Sequence, residues 1–276
     1  MKKSIVWMAS YPKSGNTWAR IFLANYISNS DEPVPINNAH RIAMGDSITK
    51  MYERVAGHPI DATDMDGVLR LRPGVLRGII ANNADVNLVK THNARVTARG
   101  VPLIPDQVTR SAVYMLRNPL DMVLSYARHY GMTPDEAVHT VSHPDNANPP
   151  DEQTVTQFMG SWSEHVRSWT AKAPYPILVL RYEDMLSDPR GSFAKLLAHL
   201  GMPVDPDRLD RAIRFSSFDE LSEQEKAEGF IEKSPESERF FARGQSEQWK
   251  TDLPPRLIKK MKHAHRKVMK QYGYLE

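Results

Sequence analysis

The chain has 276 residues, 41% of them hydrophobic and 25% charged, and 36 Lys and Arg against 33 Asp and Glu give a formal charge of +3. A chain of this length buries a substantial core, and so ordinary a composition excludes a disordered or fibrous protein. Zero cysteines exclude a disulfide framework, a Cys-ligated zinc or iron–sulfur site and thiol catalysis. The small net charge speaks for neither a nucleic-acid nor a membrane partner. The start, MKKSIVWMASYPKSGN, imitates a signal peptide, but its apolar stretch at 5–9 is too short and Lys13 follows at once. No apolar run of about 18 residues occurs, so no spanning helix and a cytoplasmic enzyme are expected.

In chain order, SIVWMA at 4–9 is a short apolar run that suits a buried parallel strand. SYPKSGN then supplies the chemistry of a tight loop. Trp18, Ile21, Phe22 and residues 24–26 recur at helical spacing, giving strand, loop and helix, with Asn16 or Ser14 as the helix cap. Pro33, Pro35, Pro59 and Pro73 break up residues 30–80, where the pattern predicts one short helix at 47–55 and a role in substrate access rather than a central sheet position. VNLVKTH at 86–92 reads as a second strand that delivers Lys90, Thr91 and His92 at its carboxyl end. SAVYMLRNP at 111–119 is a third, turning at Asn118 and Pro119 into a helix with Leu120, Val123 and Leu124 inward.

The polar stretch 131–153 carries Pro134, Pro144, Pro149 and Pro150, which predicts a lid-like loop with a helical turn or two at 134–140. Phe158, Trp162, Val166 and Trp169 mark one face of a helix. PILVLRYEDM at 176–185 predicts a fourth strand, and 193–200 a helix closed by Gly201. The last third reads as helical and charged, interrupted at FFARGQSEQW, 240–249. Pro254 and Pro255 open a final helix with Ile258, Met261, Val268, Met269 and Tyr272 on its apolar side and its Lys and Arg toward solvent. No repeat, low-complexity tract or linker is visible, so a single domain over 1–276 is expected. The fold class is α/β in three layers, a central parallel sheet of four to five strands flanked by helices. The polar clusters at the strand ends then converge, as ligand sites do in open parallel sheets.

The sharpest feature is YPKSGNTW at 11–18, a P-loop-like phosphate-binding loop between the first strand and the first helix. Backbone N–H groups of residues 14–17, the positive end of a helix, the Thr17 hydroxyl and the Lys13 ammonium suit phosphate or sulfate. A Walker A loop places its lysine after the last glycine. Here Lys13 precedes Gly15 and Asn16 stands where that lysine would be, so the nucleoside triphosphatase reading loses its defining residue.

On these residues the sequence resembles the cytosolic-type sulfotransferases, which use 3′-phosphoadenosine 5′-phosphosulfate (PAPS), and is similar to a bacterial member acting on a natural product. YPKSGNTW matches the loop that in that family holds the 5′-phosphosulfate. YMLRNPLDMVLSYARHY at 114–130 resembles the second signature, where an arginine and a serine eight positions apart, here Arg117 and Ser125, bind the 3′-phosphate. KTH at 90–92 stands where the family has its catalytic histidine, and RYEDM at 181–185 is similar to its strand-end sequence. FFARGQSEQW resembles the RKG segment and following tryptophan, here Trp249, that close over the 3′-phosphate and adenine. Ala242 stands where the first arginine is expected, so that contact is either missing or supplied by Arg239 or a shifted Arg243. The family's KxxxTVxxxE dimer pattern is absent, and the oligomeric state stays open.

The resemblance implies transfer of a sulfuryl group from PAPS to a hydroxyl of a small organic acceptor, releasing 3′-phosphoadenosine 5′-phosphate. Such a transfer needs an in-line nucleophile and neutralised charge on the transferring and leaving oxygens. His92 is then the general base, with Lys13 on the leaving phosphate and Lys90 near the sulfuryl group. Ser14, Gly15, Asn16 and Thr17 cradle the 5′-phosphate. Arg117, Ser125, Arg243 and Gly244 take the 3′-phosphate, and Trp18 and Phe218 offer surfaces to adenine. Asp121 and Glu183 are acidic alternatives to a histidine base. No metal is implied, since neither HExxH nor an EF-hand loop is present. Residues 36–60 and 131–155 are expected to wall the acceptor. Two other readings stay open: a kinase-like ATP-dependent phosphotransferase, and a non-catalytic nucleotide- or nucleic-acid-binding module.

Overall fold

The computed structural model describes residues 3–275; Met1, Lys2 and Glu276, the ends of the expected domain, lie outside the described residues. The elements run β1 (Ser4–Ser10), α1 (Asn16–Ser28), β2 (Met44–Gly45), α2 (Thr49–Ala56), α3 (Met65–Ile80), β3 (Val86–Thr91), β4 (Thr109–Leu116), α4 (Pro119–His129) and α5 (Pro134–Ser142). There follow α6 (Trp162–Thr170), β5 (Ile177–Arg181), α7 (Tyr182–Ser187), α8 (Pro189–His199), α9 (Pro206–Phe215), α10 (Phe218–Glu228), α11 (Trp249–Asp252) and α12 (Pro255–Gln271). The chain forms two compact units, each assembled from three segments. One comprises Met1–Tyr11, Ala43–Tyr114 and Val141–Val179, the other Pro12–Ile42, Met115–Thr140 and Leu180–Glu276.

The first unit carries nearly all of a five-stranded sheet in the order β2-β3-β1-β4-β5. β1 and β3 pair in parallel from Ser4↔Val86 to Ala9↔Thr91, and β2 joins the far side of β3 at Met44↔Val89 and Gly45↔Lys90. From Ile5 to Ser10 every residue of β1 is buried, as expected for a strand covered on both faces by helices. The register puts His92 one residue past the Ala9↔Thr91 pair, at the carboxyl edge of the sheet.

Residues 30–80 depart from expectation. The short helix forms as α2, but Met44–Gly45 is an edge strand of the main sheet and α3 is a helix of 16 residues. Pro73 lies inside α3, where proline costs roughly 3 kcal/mol. The helix survives because Val68, Leu69, Val75, Leu76 and Ile79 are buried and α3 packs against α2 and β3, while the Asp64 carboxylate accepts the Gly67 N–H as a cap. Phe158 is not on a helix face: Gln157–Phe158 pairs antiparallel with Ala147–Asn148, and α6 starts only at Trp162, behind a capping box of Ser161 and Glu164. The strand expected at 176–185 ends at Arg181, and Glu183 and Asp184 occupy the first turn of α7, where acidic side chains favour a helix start.

The second unit is helical. α1 packs against α9 and α8 against α9, with the Phe22 and Phe193 rings stacked at 3.9 Å. α4 is packed by α11 and α12, and Pro255 opens α12 at its first turn as the sequence predicts.

Candidate active site

In the second unit, the loop before α1 has alternating left-handed residues, Lys13 at φ 66° and Gly15 at φ 99°. Such alternation aims successive N–H groups into a common concavity, the geometry of an anion nest. The helix cap is Gly15, without a side-chain bond, and neither Asn16 nor Ser14 serves as cap. The Asn16 amide oxygen instead accepts from Arg20 Nε at 2.9 Å, inside the helix. The Ser14 hydroxyl is buried without a hydrogen-bond partner among the described residues. Thr17 Oγ1 donates to Glu232 Oε2 at 3.0 Å, and Arg20 pairs with the same carboxylate at 2.8 Å. Thr17 thus already holds an anionic oxygen. Lys13 Nζ stands 3.5 Å over the Phe240 ring, and Trp18 packs edge-on against Tyr182 and Phe193.

Tyr182 underlies this loop. A Cβ on Gly15 would lie 2.9 Å from its ring, so a side chain there is excluded by contact as well as by φ. The Arg117 guanidinium lies 4.2 Å over the same ring, donates to the Lys13 carbonyl at 3.1 Å and to the Gln245 carbonyl at 3.4 Å, and keeps a buried Nε with no partner among the described residues. Ser125 is half-buried two turns along α4. Arg243 is exposed and paired with Asp252 at 2.6 Å, and Arg239 is exposed. Gly244, at φ 59°, lies against Phe218, whose ring a Cβ would overlap. Lys13, Arg117 and the backbone of residue 245 are therefore joined in one unit, and Gly244 and Phe218 in direct contact.

Both acidic alternatives to a histidine base are spent on structure. Asp121 is buried and accepts the Glu247 and Trp249 N–H groups at 2.7 and 3.1 Å, tying segment 240–252 to α4. Glu183 accepts from the Asn118 N–H and the Tyr274 hydroxyl, each at 2.9 Å.

In the first unit, His92 Nδ1 lies 2.8 Å from the Ser10 carbonyl and 3.3 Å from the Ser10 hydroxyl. A carbonyl only accepts, so Nδ1 carries the proton and the lone pair is on Nε2. The His92 carbonyl accepts from His165 Nε2 at 3.0 Å, and Tyr114 Oη lies 2.9 Å from His165 Nδ1. Full burial holds the His165 pKa down to about 4, against the opposing pull of the His92 carbonyl. His165 is thus a neutral donor to the His92 backbone. The next residue, Asn93, accepts from Trp169 Nε1 at its carbonyl and from the Phe158 N–H at its side chain.

Behind Thr91 lies a buried network. Asp46 Oδ2 is 2.6 Å from Arg72 Nη2 and accepts from Thr91 Oγ1 at 2.9 Å and Asn93 Nδ2 at 3.1 Å. Burial, the largest single influence, would lower the Arg72 pKa, but the Asp46 carboxylate and the Tyr52 hydroxyl together outweigh it and raise it. Thr91 and Asn93 flank His92 and are fixed from below. Lys90, half-buried on β3, pairs with Gly45 and Met8. The sequence reading missed Tyr182, His165, Asp46 and Arg72, none of which stands in a phosphate or histidine motif.

Among the described residues, no group of three or more His, Asp or Glu could hold a metal ion, and no helix is long and apolar enough to cross a membrane. A model of the sulfotransferase domain matches residues 3–273, and the chain belongs to that family. Sulfotransferase 1 family member D1 of Mus musculus is 26% identical over 280 residues, 96% of this chain and 83% of that protein. Sulfotransferase 2A2 of Mus musculus is 35% identical over 115 residues, 41% of this chain and 39% of its own. Among solved structures, retinol dehydratase in complex with androsterone and the inactive cofactor PAP has the same fold, at a TM-score of 0.67 and 17% identity, over 98% of this chain and 82% of that one. A mouse sulfotransferase complexed with PAP follows at a TM-score of 0.60 and 20% identity, over 98% and 86%. The chain is a sulfotransferase, and family membership decides against the kinase-like and non-catalytic alternatives.

Proposed function

We propose that the chain moves the sulfuryl group of PAPS to a hydroxyl of a small organic acceptor, with His92 as general base. The observation that carries this is the bond from His92 Nδ1–H to the Ser10 carbonyl, which leaves the basic lone pair on Nε2. The curated relatives named sulfotransferases and the PAP written into the names of two solved neighbours support the donor. Two buried polar groups without partners, Ser14 Oγ and Arg117 Nε, fit a ligand that brings acceptor oxygens to both places. PAPS supplies an activated sulfuryl group on a phosphate leaving group.

The residues then divide the work. His92 Nε2 takes the proton of the acceptor hydroxyl, and His165 holds the His92 backbone in place. Lys13 and Lys90 neutralise charge on the leaving and transferring oxygens. Ser14, Gly15, Asn16 and Thr17 hold the 5′-phosphate, with Thr17 exchanging its bond to Glu232 for one to the ligand. Arg117, Ser125, Arg243 and Gly244 hold the 3′-phosphate, and Trp18 and Phe218 face adenine. We read both units as one sulfotransferase domain, supported by a single family match across 3–273, and the cell compartment as cytoplasmic, supported by the resemblance to cytosolic-type sulfotransferases. Androsterone and retinol, named with the retinol dehydratase structures, support a small hydroxyl-bearing acceptor.

His92→Ala tests the base. Turnover of PAPS against a panel of phenols and alcohols should fall about 100- to 10,000-fold while calorimetric affinity for 3′-phosphoadenosine 5′-phosphate stays put. Undiminished turnover would remove His92 from the chemistry.

A further inference from the structure

Segment 240–252 is tied to α4 through the Asp121 carboxylate and to Arg117 through the Gln245 carbonyl, and Arg128, in the last turn of α4, feels the charges of both Arg117 and Arg243. Ser125 and Arg128 stand three positions apart on α4 and so share a face of the helix. Arg117 donates through both Nη atoms to backbone carbonyls, and Arg243 is paired with Asp252. Arg128 is half-buried and has neither an ion pair nor a hydrogen bond among the described residues. The next residue before Arg243 is Ala242, which adds no charge.

Such a grouping is costly by itself. Partial burial first, then the charges of Arg243 and Arg117, press the Arg128 pKa downward, and Asp252 opposes them. Two carboxylates, Asp252 and the buried Asp121, stand against three guanidiniums, and Asp121 is already spent on the Glu247 and Trp249 N–H groups, so the cluster keeps a positive excess. A phosphate answers that excess, and a guanidinium with no partner has its whole fork of donors to give.

We propose that Arg128 binds the 3′-phosphate of the nucleotide, completing with Arg117, Ser125 and Arg243 the anion site at α4. The proposal rests on the reading of PAPS as donor. It gives Arg128 a share in the discrimination between nucleotides with and without a 3′-phosphate, and with it the contact missing at Ala242, for which the sequence offered Arg239 or Arg243.

The test is calorimetric titration of the wild type, Arg128→Gln and Arg128→Lys with 3′-phosphoadenosine 5′-phosphate and with adenosine 5′-phosphate. Arg128→Gln should weaken the first ligand roughly 10- to 100-fold and the second by less than about threefold, with Arg128→Lys between. Full discrimination retained in Arg128→Gln overturns the assignment alone. Equal loss of both ligands also overturns it, by showing a structural role. A wild type that binds both ligands equally overturns the donor reading, and this proposal with it.

Discussion

His165 holds the backbone of the histidine of the site, donating to the His92 carbonyl. Buried and neutral, with a pKa of about 4 against an ordinary 6.5, it gives the folded protein nothing to protonate over the interval in which the unfolded chain takes up a proton. Above pH 6.5 this residue makes no pH-dependent contribution. As pH falls from 6.5 toward 4, the folded state loses on the order of 3 kcal/mol relative to the unfolded chain, and below about 4 the loss is complete. Gln in its place can donate to the His92 carbonyl and accept from Tyr114 without titrating. Denaturant unfolding of His165→Gln, measured between pH 7 and 4, should show a shallower decline than the wild type by about that amount; parallel declines would mean that His165 is protonated in the fold. Nothing in the sequence marks this histidine among ten, because its role comes from a partner 73 residues away. His92 was legible because it ends an apolar run, and its tautomer was not, because the Ser10 carbonyl lies on another strand.

At the scale of elements, the carboxyl end of β3 is braced by a polar network that spans β2, α3 and the turn after β3. Arg72 and Asp46 are both buried and each completes the other. Arg72→Met strands the carboxylate, which costs about 3–5 kcal/mol for a broken buried pair. The thermal midpoint should drop on the order of 10 °C, and a midpoint within a degree or two of wild type would show that the pair braces nothing. This network also explains where reading the elements succeeded. β1, β3, β4 and β5 are apolar runs bounded by polar residues, so their period and length reveal them. β2 has two residues and no period, and α3 contains Pro73 besides Gly67, Gly74 and Gly78, which local propensity counts against a helix. Packing of its apolar stripe outweighs those propensities, and packing is not written in local sequence.

For the molecule as a whole, the family, the parallel sheet and the phosphate loop follow from motifs placed where strands end. The supports of those motifs do not. Asp121 and Glu183, two carboxylates that chemistry alone offers as bases, instead anchor segment 240–252 and the carboxyl-terminal Tyr274, contacts between residues 91 to 128 apart in sequence. Tyr182 shows the same thing from the other side: as part of RYEDM it reads as a strand end, and in the fold it is the floor under Gly15 and Arg117. The central claim is sulfuryl transfer from a 3′-phosphorylated donor, and it is tested most directly by following labelled sulfur from PAPS, and from adenosine 5′-phosphosulfate, onto phenol and alcohol acceptors in the presence of a chelator. The account predicts label on an acceptor, undiminished by the chelator, with kcat/KM for PAPS higher by roughly 100-fold or more than for the donor lacking the 3′-phosphate. Equal use of the two donors, or transfer of phosphorus from magnesium ATP in place of sulfur, would contradict it.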